Sequence, residues 1–149
     1  MESLDLGYLL QRCAKRLRSE LADSLKGLGL TPQQAAVLIA VYQAPTESLS
    51  HGGVASAIDA DAATTTGLLG RLERDGWLSS AAHPTDGRSR LVALTEQGRA
   101  AMPDLLARAQ AVSRAAGEVL SASELARLTE LLQKLAAKPT CTDVEAGRA

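Results

Sequence analysis

Residues 62–94 read AATTTGLLGRLERDGWLSSAAHPTDGRSRLVAL, and this stretch decides the fold. From Ala62 to Arg74 the large apolar residues fall at Leu68, Leu69 and Leu72. Steps of three and four put them on the inward face of a compact helix. Asp75-Gly76 ends that helix. Trp77-Leu78-Ser79 and Arg90-Leu91-Val92-Ala93-Leu94 are short β-like runs, and the segment between them, Pro84-Thr85-Asp86-Gly87-Arg88, is rich in turn formers. The stretch therefore reads as a helix followed by a two-stranded hairpin with a long loop.

Upstream, Ser50 to Ala57 is a short helix weakened by Gly52 and Gly53, and Asp59-Ala60-Asp61 is a turn whose acids can cap the helix that follows. Thr31-Pro32-Gln33-Gln34 is a helix start: Thr31 caps free amides, Pro32 suits the first helical position, and Gln34 completes a capping box. The run Ala35 to Val41 reads as a largely buried helix, stopped by Ala44-Pro45-Thr46. Further back, Leu4 to Leu28 carries Leu6, Leu10, Cys13, Leu17, Leu21, Leu25 and Leu28 on one helical stripe, with Arg12, Lys15, Arg16, Arg18 and Glu20 between them. Gly27-Leu28-Gly29 ends it. Downstream, Thr95-Glu96-Gln97-Gly98 opens a long Ala/Leu helix that ends near Leu120. Ser121-Ala122-Ser123-Glu124 is a second capping box, and Leu125, Leu128, Leu131, Leu132 and Leu135 form the stripe of a final helix closed by Lys138-Pro139.

The order is α-α-α-α-β-β-α-α, mostly α with a small β wing. Short helices followed by a hairpin make a winged helix-turn-helix, which spans residues 31–95. Residues 1–30 and 96–138 are flanking helices whose apolar stripes need a partner, and a two-fold homodimer supplies one. Residues 139–149 are expected to be a loose tail.

Composition narrows the function. The chain has 149 residues, 46% of them apolar, enough for one domain with a sizeable core. No apolar run reaches the roughly 18 residues needed to span a bilayer. The start, Met1-Glu2-Ser3-Leu4-Asp5, lacks the basic and apolar segments of a signal peptide. No membrane association and a cytoplasmic location are expected. The formal charge of −1 means that a nucleic-acid binder must segregate its cations on one face. Tyr8, Tyr42 and Trp77 are the whole aromatic complement, too few for a platform that stacks single-stranded bases. Cys13 and Cys141 form no CxxC or zinc-finger spacing and read as free thiols. His51 and His83 stand apart, so no metal site is expected; they read as a surface residue and a phosphate or cap contact. No nucleophile-base-acid set or phosphate loop occurs, so neither catalytic residues nor a cofactor is expected.

Three segments resemble the MarR family of transcription regulators. Arg71-Leu72-Glu73-Arg74-Asp75-Gly76-Trp77-Leu78 is similar to its helix exit. Pro84-Thr85-Asp86-Gly87-Arg88-Ser89-Arg90 with Leu94-Thr95-Glu96-Gln97-Gly98 resembles its wing, and Gly29-Leu30-Thr31-Pro32-Gln33 resembles the start of its second helix. The resemblance runs from about residue 5 to 137. It implies a dimeric regulator, a repressor, that binds a palindromic operator in double-stranded DNA and is released by a small anionic or aromatic effector.

The resemblance makes Ala62 to Arg74 the recognition helix, with Thr64, Thr65 and Thr66 toward the major groove and Arg71 and Arg74 further along it. Threonine suits this place, because its hydroxyl reaches phosphate or a base edge and its methyl packs on a thymine methyl. It also implies that Asp86 and Arg88 brace the wing, that Arg88 enters the minor groove, where the negative potential attracts an arginine, and that Arg90 is a second phosphate contact. A plain surface ion pair of Asp86 with Arg88, worth about 0–1 kcal/mol, is the bland alternative. Many relatives carry a basic residue where Gly67 stands and an acid where Gly70 stands. Between Leu49 and Thr95 there are four basic residues (Arg71, Arg74, Arg88, Arg90) and five acids (Asp59, Asp61, Glu73, Asp75, Asp86), a thin electrostatic footprint. That balance keeps a second reading open, a winged-helix dimer acting through protein contacts.

For the effector, the resemblance suggests a pocket wall of Arg12, Arg16, Tyr42 and parts of Ala35 to Leu38, with Arg16 pairing a carboxylate; a solvated face for Arg12 and Arg16 is the alternative. A third reading is redox sensing. Cys13 lies on the apolar stripe, which favours an inert packed thiol. In this architecture the termini meet at the dimer base, so a Cys13–Cys141 disulfide between subunits is a hypothesis that non-reducing gels after peroxide would test.

Overall fold

The computed structural model describes residues 3–85 and 90–137. Its elements are α1 (Ser3–Leu25), a 3-10 turn (Lys26–Leu28), α2 (Pro32–Gln43), β1 (Ser48–Ser50), α3 (His51–Ala57), α4 (Ala62–Arg74), β2 (Leu78–Ala82), β3 (Arg90–Leu94), α5 (Glu96–Gly117) and α6 (Ala122–Ala136). The chain divides into two compact units, Met1–Val112 and Ser113–Ala149.

Local chemistry sets the boundaries in the first unit. The turn after α1 closes at Gly29, whose φ of 67° is a left-handed conformation that suits glycine. α2 starts with the expected capping box: Thr31 Oγ1 accepts from Gln34 N at 3.2 Å and Gln34 Oε1 accepts from Thr31 N at 2.9 Å. Ser50 caps α3 by accepting from Gly53 N. α2 then lies against α1, α3, α4 and the sheet. The core collects Leu25, Val37, Leu38 and Val41 with Val54, Leu68, Leu69 and Leu72, closed by Val92 from the sheet and by Met102 and Leu105 from α5. Each such side chain contributes about 1.5–3 kcal/mol by leaving water.

The sheet corrects the two-stranded expectation. It has three strands in the order β1-β3-β2, all pairings antiparallel, with Ser48 opposite Ala93 and Leu78 opposite Leu94. Ser48-Leu49-Ser50 is too short to show an alternating pattern, and its pairing partner lies more than forty residues away. β2 also runs further than expected, to Ala82, because its backbone stays paired with β3 as far as Arg90.

A knot of polar contacts joins the base of the hairpin to α5. Thr95 N donates to Trp77 O, Thr95 Oγ1 donates to Gly76 O at 2.6 Å, and Gly98 N donates to Thr95 Oγ1 at 3.0 Å. Gly98 has no room for a side chain, since a methyl there would lie 2.3 Å from the Trp77 carbonyl oxygen. The Leu94-Thr95-Glu96-Gln97-Gly98 segment is thus a structural joint, which anchors the hairpin to a long helix. A second tie links α5 to the end of α1: Arg108 pairs with Asp104 and donates to Ser24 O at 2.7 Å.

On α1, Leu21 and Leu25 reach the core, whereas Leu6, Leu10 and Leu17 are exposed. Cys13 is exposed as well, so the packed thiol expected from its place on the stripe is not found within one chain. In the second unit, α6 begins at the expected capping box of Ser121 and Glu124. Its stripe Leu125, Leu128, Leu131, Leu132 and Leu135 remains 39–49% exposed.

Candidate nucleic-acid interface

The α3–turn–α4 segment presents one outer face of α4. Asp59 adopts a positive φ of 52° in the turn, and Asp61 caps α4. The cap is doubled: Asp61 Oδ1 accepts from Thr64 N at 2.7 Å, and Oδ2 accepts from Thr64 Oγ1 at 2.8 Å. These bonds hold the Asp61 carboxyl below the usual carboxylate range. The first turn of α4 is therefore locked, and a negative charge already sits on its amides.

This geometry sorts the three threonines. Thr65 is buried, with its hydroxyl donated to Asp61 O at 2.8 Å, so it faces the core and not the major groove. Its place beside Leu68, Leu69 and Leu72 on the inner face explains the correction. Thr64 is exposed with its hydroxyl engaged by Asp61, while Thr66 is exposed and makes no side-chain hydrogen bond among the described residues. Gly67, Gly70, Arg71 and Arg74 complete the outer face. Arg74 is bound to the neighbouring Asp75 (Nε–Oδ1 2.9 Å), which raises its pKa. The Arg71 side chain makes no hydrogen bond or ion pair among the described residues.

In the hairpin, Arg90 lies across the neighbouring strand and donates to Ser80 Oγ at 2.6 Å. Asp86 and Arg88 lie outside the described residues. At the near end of the loop, His83 Nδ1 accepts from Thr85 N at 3.3 Å. His51 is half-buried as the first residue of α3, with a buried Nε2 that has no partner among the described residues. It is neither an open surface residue nor a cap contact, contrary to expectation. Among the described residues no group of three or more His, Cys, Asp or Glu could hold a metal ion.

The expected effector residues do not come together. Arg16 is bound to Glu20 at 2.7 Å, and that hydrogen bond and charge raise its pKa. Tyr42 packs half-buried against the core, with Ala35, Val37 and Leu38 inside it. Arg12 does line a groove of about 690 Å³ on α1, beside Tyr8, Gln11, Lys15 and Arg18. Lys15, Arg18 and Ser19 also border a second groove of about 370 Å³, between α1 and the start of α2, where Thr31, Pro32 and Gln33 form the other wall. Lys15, Arg18 and Ser19 were not among the pocket residues expected from the sequence. Their signal was present, since 15, 18, 19 and 22 fall on one helical face that is basic and small.

A profile of the MarR family matches residues 28–89. The HTH-type transcriptional repressor Rv2887 of Mycobacterium tuberculosis is 37% identical over 129 residues, 87% of this chain and 86% of that protein. The transcriptional activatory protein BadR of Rhodopseudomonas palustris is 38% identical over 96 residues, covering 63% of this chain, which spans 54% of BadR's length. Among solved structures, that of Bordetella bronchiseptica BpsR, described for regulation of its DNA binding by 6-hydroxynicotinic acid, superposes with a TM-score of 0.81 at 28% identity, over 89% of this chain and 98% of that one. With the capped recognition-type helix, the hairpin and the Thr95–Gly98 joint in place, these likenesses establish that the chain belongs to the MarR family.

Proposed function

We propose that this protein is a DNA-binding transcription repressor that works as a homodimer and is released from its operator by a small anionic effector. The observation that carries the reading is the outer face of α4. It is exposed, its first turn is locked by Asp61, and it offers Thr66 and Arg71 with nothing bulky beside them. In this reading residues 31–95 are the DNA-binding lobe and residues 1–30 and 96–138 supply dimer contacts. The exposed leucines of α1 and α6 support that division, because apolar stripes on this scale mark association surfaces. Thr64, Thr66, Arg71 and Arg74 face the major groove, and Arg88, Arg90 and Asp86 belong to the wing.

The name of Rv2887 supports repression, and the description of BpsR supports control by a carboxylate. The groove bordered by Lys15, Arg18 and Gln33 suits such an anion, with two cations on one side and a helix start on the other. Half-sites lie about 34–36 Å apart, so a small change in lobe spacing loses both contacts at once. The effector must prefer the released state for that change to occur.

Titration of the purified protein against its own upstream DNA at two salt concentrations tests the reading. Sequence-selective binding that weakens with salt is expected; a folded protein that binds no duplex at low salt overturns it. Thermal shift with 6-hydroxynicotinate and other carboxylates tests the effector: stabilisation by an anion in wild type that is lost in Arg18→Ala is expected, and an equal response in both removes this groove as its site.

A further inference from the structure

The outer face of α4 contains an arrangement that the DNA-binding reading does not by itself require. Resting on that reading, we infer that Arg71 is the base-reading residue of the recognition helix and that Gly67 is the gap through which it works. Among the described residues the lobe has three arginines, and two of them are engaged. Arg74 holds Asp75, and Arg90 lies on Ser80. Asp75 is the acid one helical turn beyond Arg71, its natural partner at i+4, yet its carboxylate is taken by Arg74. Arg71 instead turns toward the start of the helix: its Nη2 lies 3.8 Å from where a methyl on Gly67 would sit. Its guanidinium thus occupies the level at which a side chain at position 67 would stand.

Nothing inside the fold demands glycine here. A methyl at Gly67 would make only an ordinary contact with Arg71, a methyl at Gly70 would meet nothing within 4 Å, and neither residue has a positive φ. Glycine weakens a helix interior, so the reason for it lies in what approaches from outside. A flat helix face lets the duplex come close, and the uncommitted guanidinium then lies flush with that face. An arginine presents two parallel donors, which match O6 and N7 of guanine in the major groove. Lysine can reach the same two acceptors, but from a flexible point charge without the rigid planar fork that fixes the geometry. Two-fold symmetry places one such contact in each half-site.

The test is in vitro selection from duplexes randomised across both half-sites, with full-length wild type, Arg71→Ala, Arg71→Lys and Gly67→Leu, followed by anisotropy titration of the wild-type consensus across a salt series. All three changes are at exposed positions, and far-ultraviolet circular dichroism and sizing check that each variant remains a folded dimer. Wild type is expected to select one invariant guanine per half-site. Arg71→Ala should lose selection at that position alone and bind the consensus about 10- to 100-fold more weakly. Arg71→Lys should keep the salt dependence and show a weakened guanine preference. Gly67→Leu, uncharged but filling the gap, should lose the preference as well. The inference is overturned if Arg71→Ala weakens all sequences equally and lowers the salt slope by about one, the signature of a phosphate contact. It is also overturned if Gly67→Leu selects the wild-type consensus. Failure of wild type to enrich any sequence or to bind duplex at low salt would instead bring down the DNA-binding reading, and this inference with it.

Discussion

Gly98→Ala is expected to be among the most damaging single-methyl changes in the protein, for a reason that has nothing to do with DNA. The added methyl would lie 2.3 Å from the Trp77 carbonyl oxygen and 3.1 Å from Leu94 Cδ2. Real Cβ contacts stay above 3.0 Å, so relief needs a shift of at least 3.0 − 2.3 = 0.7 Å. The Trp77 oxygen is backbone, held by Thr95 N at 3.1 Å, so no side chain can swing aside to provide it. α5 must move off the hairpin base, which lengthens the Thr95 Oγ1–Gly76 O and Gly98 N–Thr95 Oγ1 bonds. Overpacking of this kind costs about 1–3 kcal/mol, and each weakened hydrogen bond about 1 kcal/mol more. The helix-propensity gain of alanine, at most about 1 kcal/mol, offsets only part of this. A net loss of about 3 kcal/mol follows, or a fall in Tm of roughly 6–12 °C. Urea unfolding, read by ellipticity and by the fluorescence of Trp77, the sole tryptophan, measures it. Protein concentration must be held fixed, because association contributes to the apparent stability of a dimer. A Gly98→Ala protein within 0.5 kcal/mol of wild type would refute the joint between hairpin and α5.

Three further outcomes are expected. Gly70→Ala, with open space around the new methyl, should raise stability by about 0.5–1 kcal/mol in the same urea assay, the opposite sign from Gly98→Ala. Ser121→Ala removes the acceptor for Glu124 N and half of a capping box, so it should destabilise α6 by about 1 kcal/mol, read as faster amide exchange in residues 122–125. Asp61 has a lowered folded pKa, so its contribution is full above the unfolded value near about 3.9 and disappears as pH falls through the folded one. Asp61→Asn keeps a cap without the titration, and its unfolding midpoint should fall less steeply than that of wild type as pH drops from 5 toward 2.

The helices were legible because their signals are local. Thr31-Pro32-Gln33-Gln34 and Ser121 to Glu124 form capping boxes whose bonds appear as written in the sequence. Leu68, Leu69 and Leu72 announce the inner face of α4 by spacing alone. What was not legible is tertiary. β1 is three residues that become a strand only because β3 offers an open edge. Thr65 belongs to a run of three identical residues, yet its spacing from Leu68, Leu69 and Leu72 puts it on their inward face, a local signal that the reading of the run as one groove-facing set passed over. Of the residues expected at an effector pocket, Arg16 has a local partner in Glu20, whereas Lys15 and Arg18 gain their place in a groove from the start of α2, across the turn.

The near-neutral lobe raises a question of mechanism that charge counting alone answers wrongly. A repressor that relied on neutralising phosphates would want uncommitted cations around its recognition helix. Here Arg74 is paired with the carboxylate of Asp75, acids outnumber bases between Leu49 and Thr95, and a carboxylate occupies the amides at the start of α4, where a phosphate could otherwise bind. Attraction at long range is therefore weak. What the outer face of α4 offers instead is closeness: two positions without side chains, and one free arginine lying along them. Base-edge hydrogen bonds are short-ranged and directional, so they gain from close approach more than a diffuse phosphate attraction does. A face built this way would hold non-specific DNA poorly and its own operator by contrast well. The ratio of the two affinities, rather than the affinity itself, is what the glycines would have raised, at the cost of helix stability that Gly70→Ala should give back.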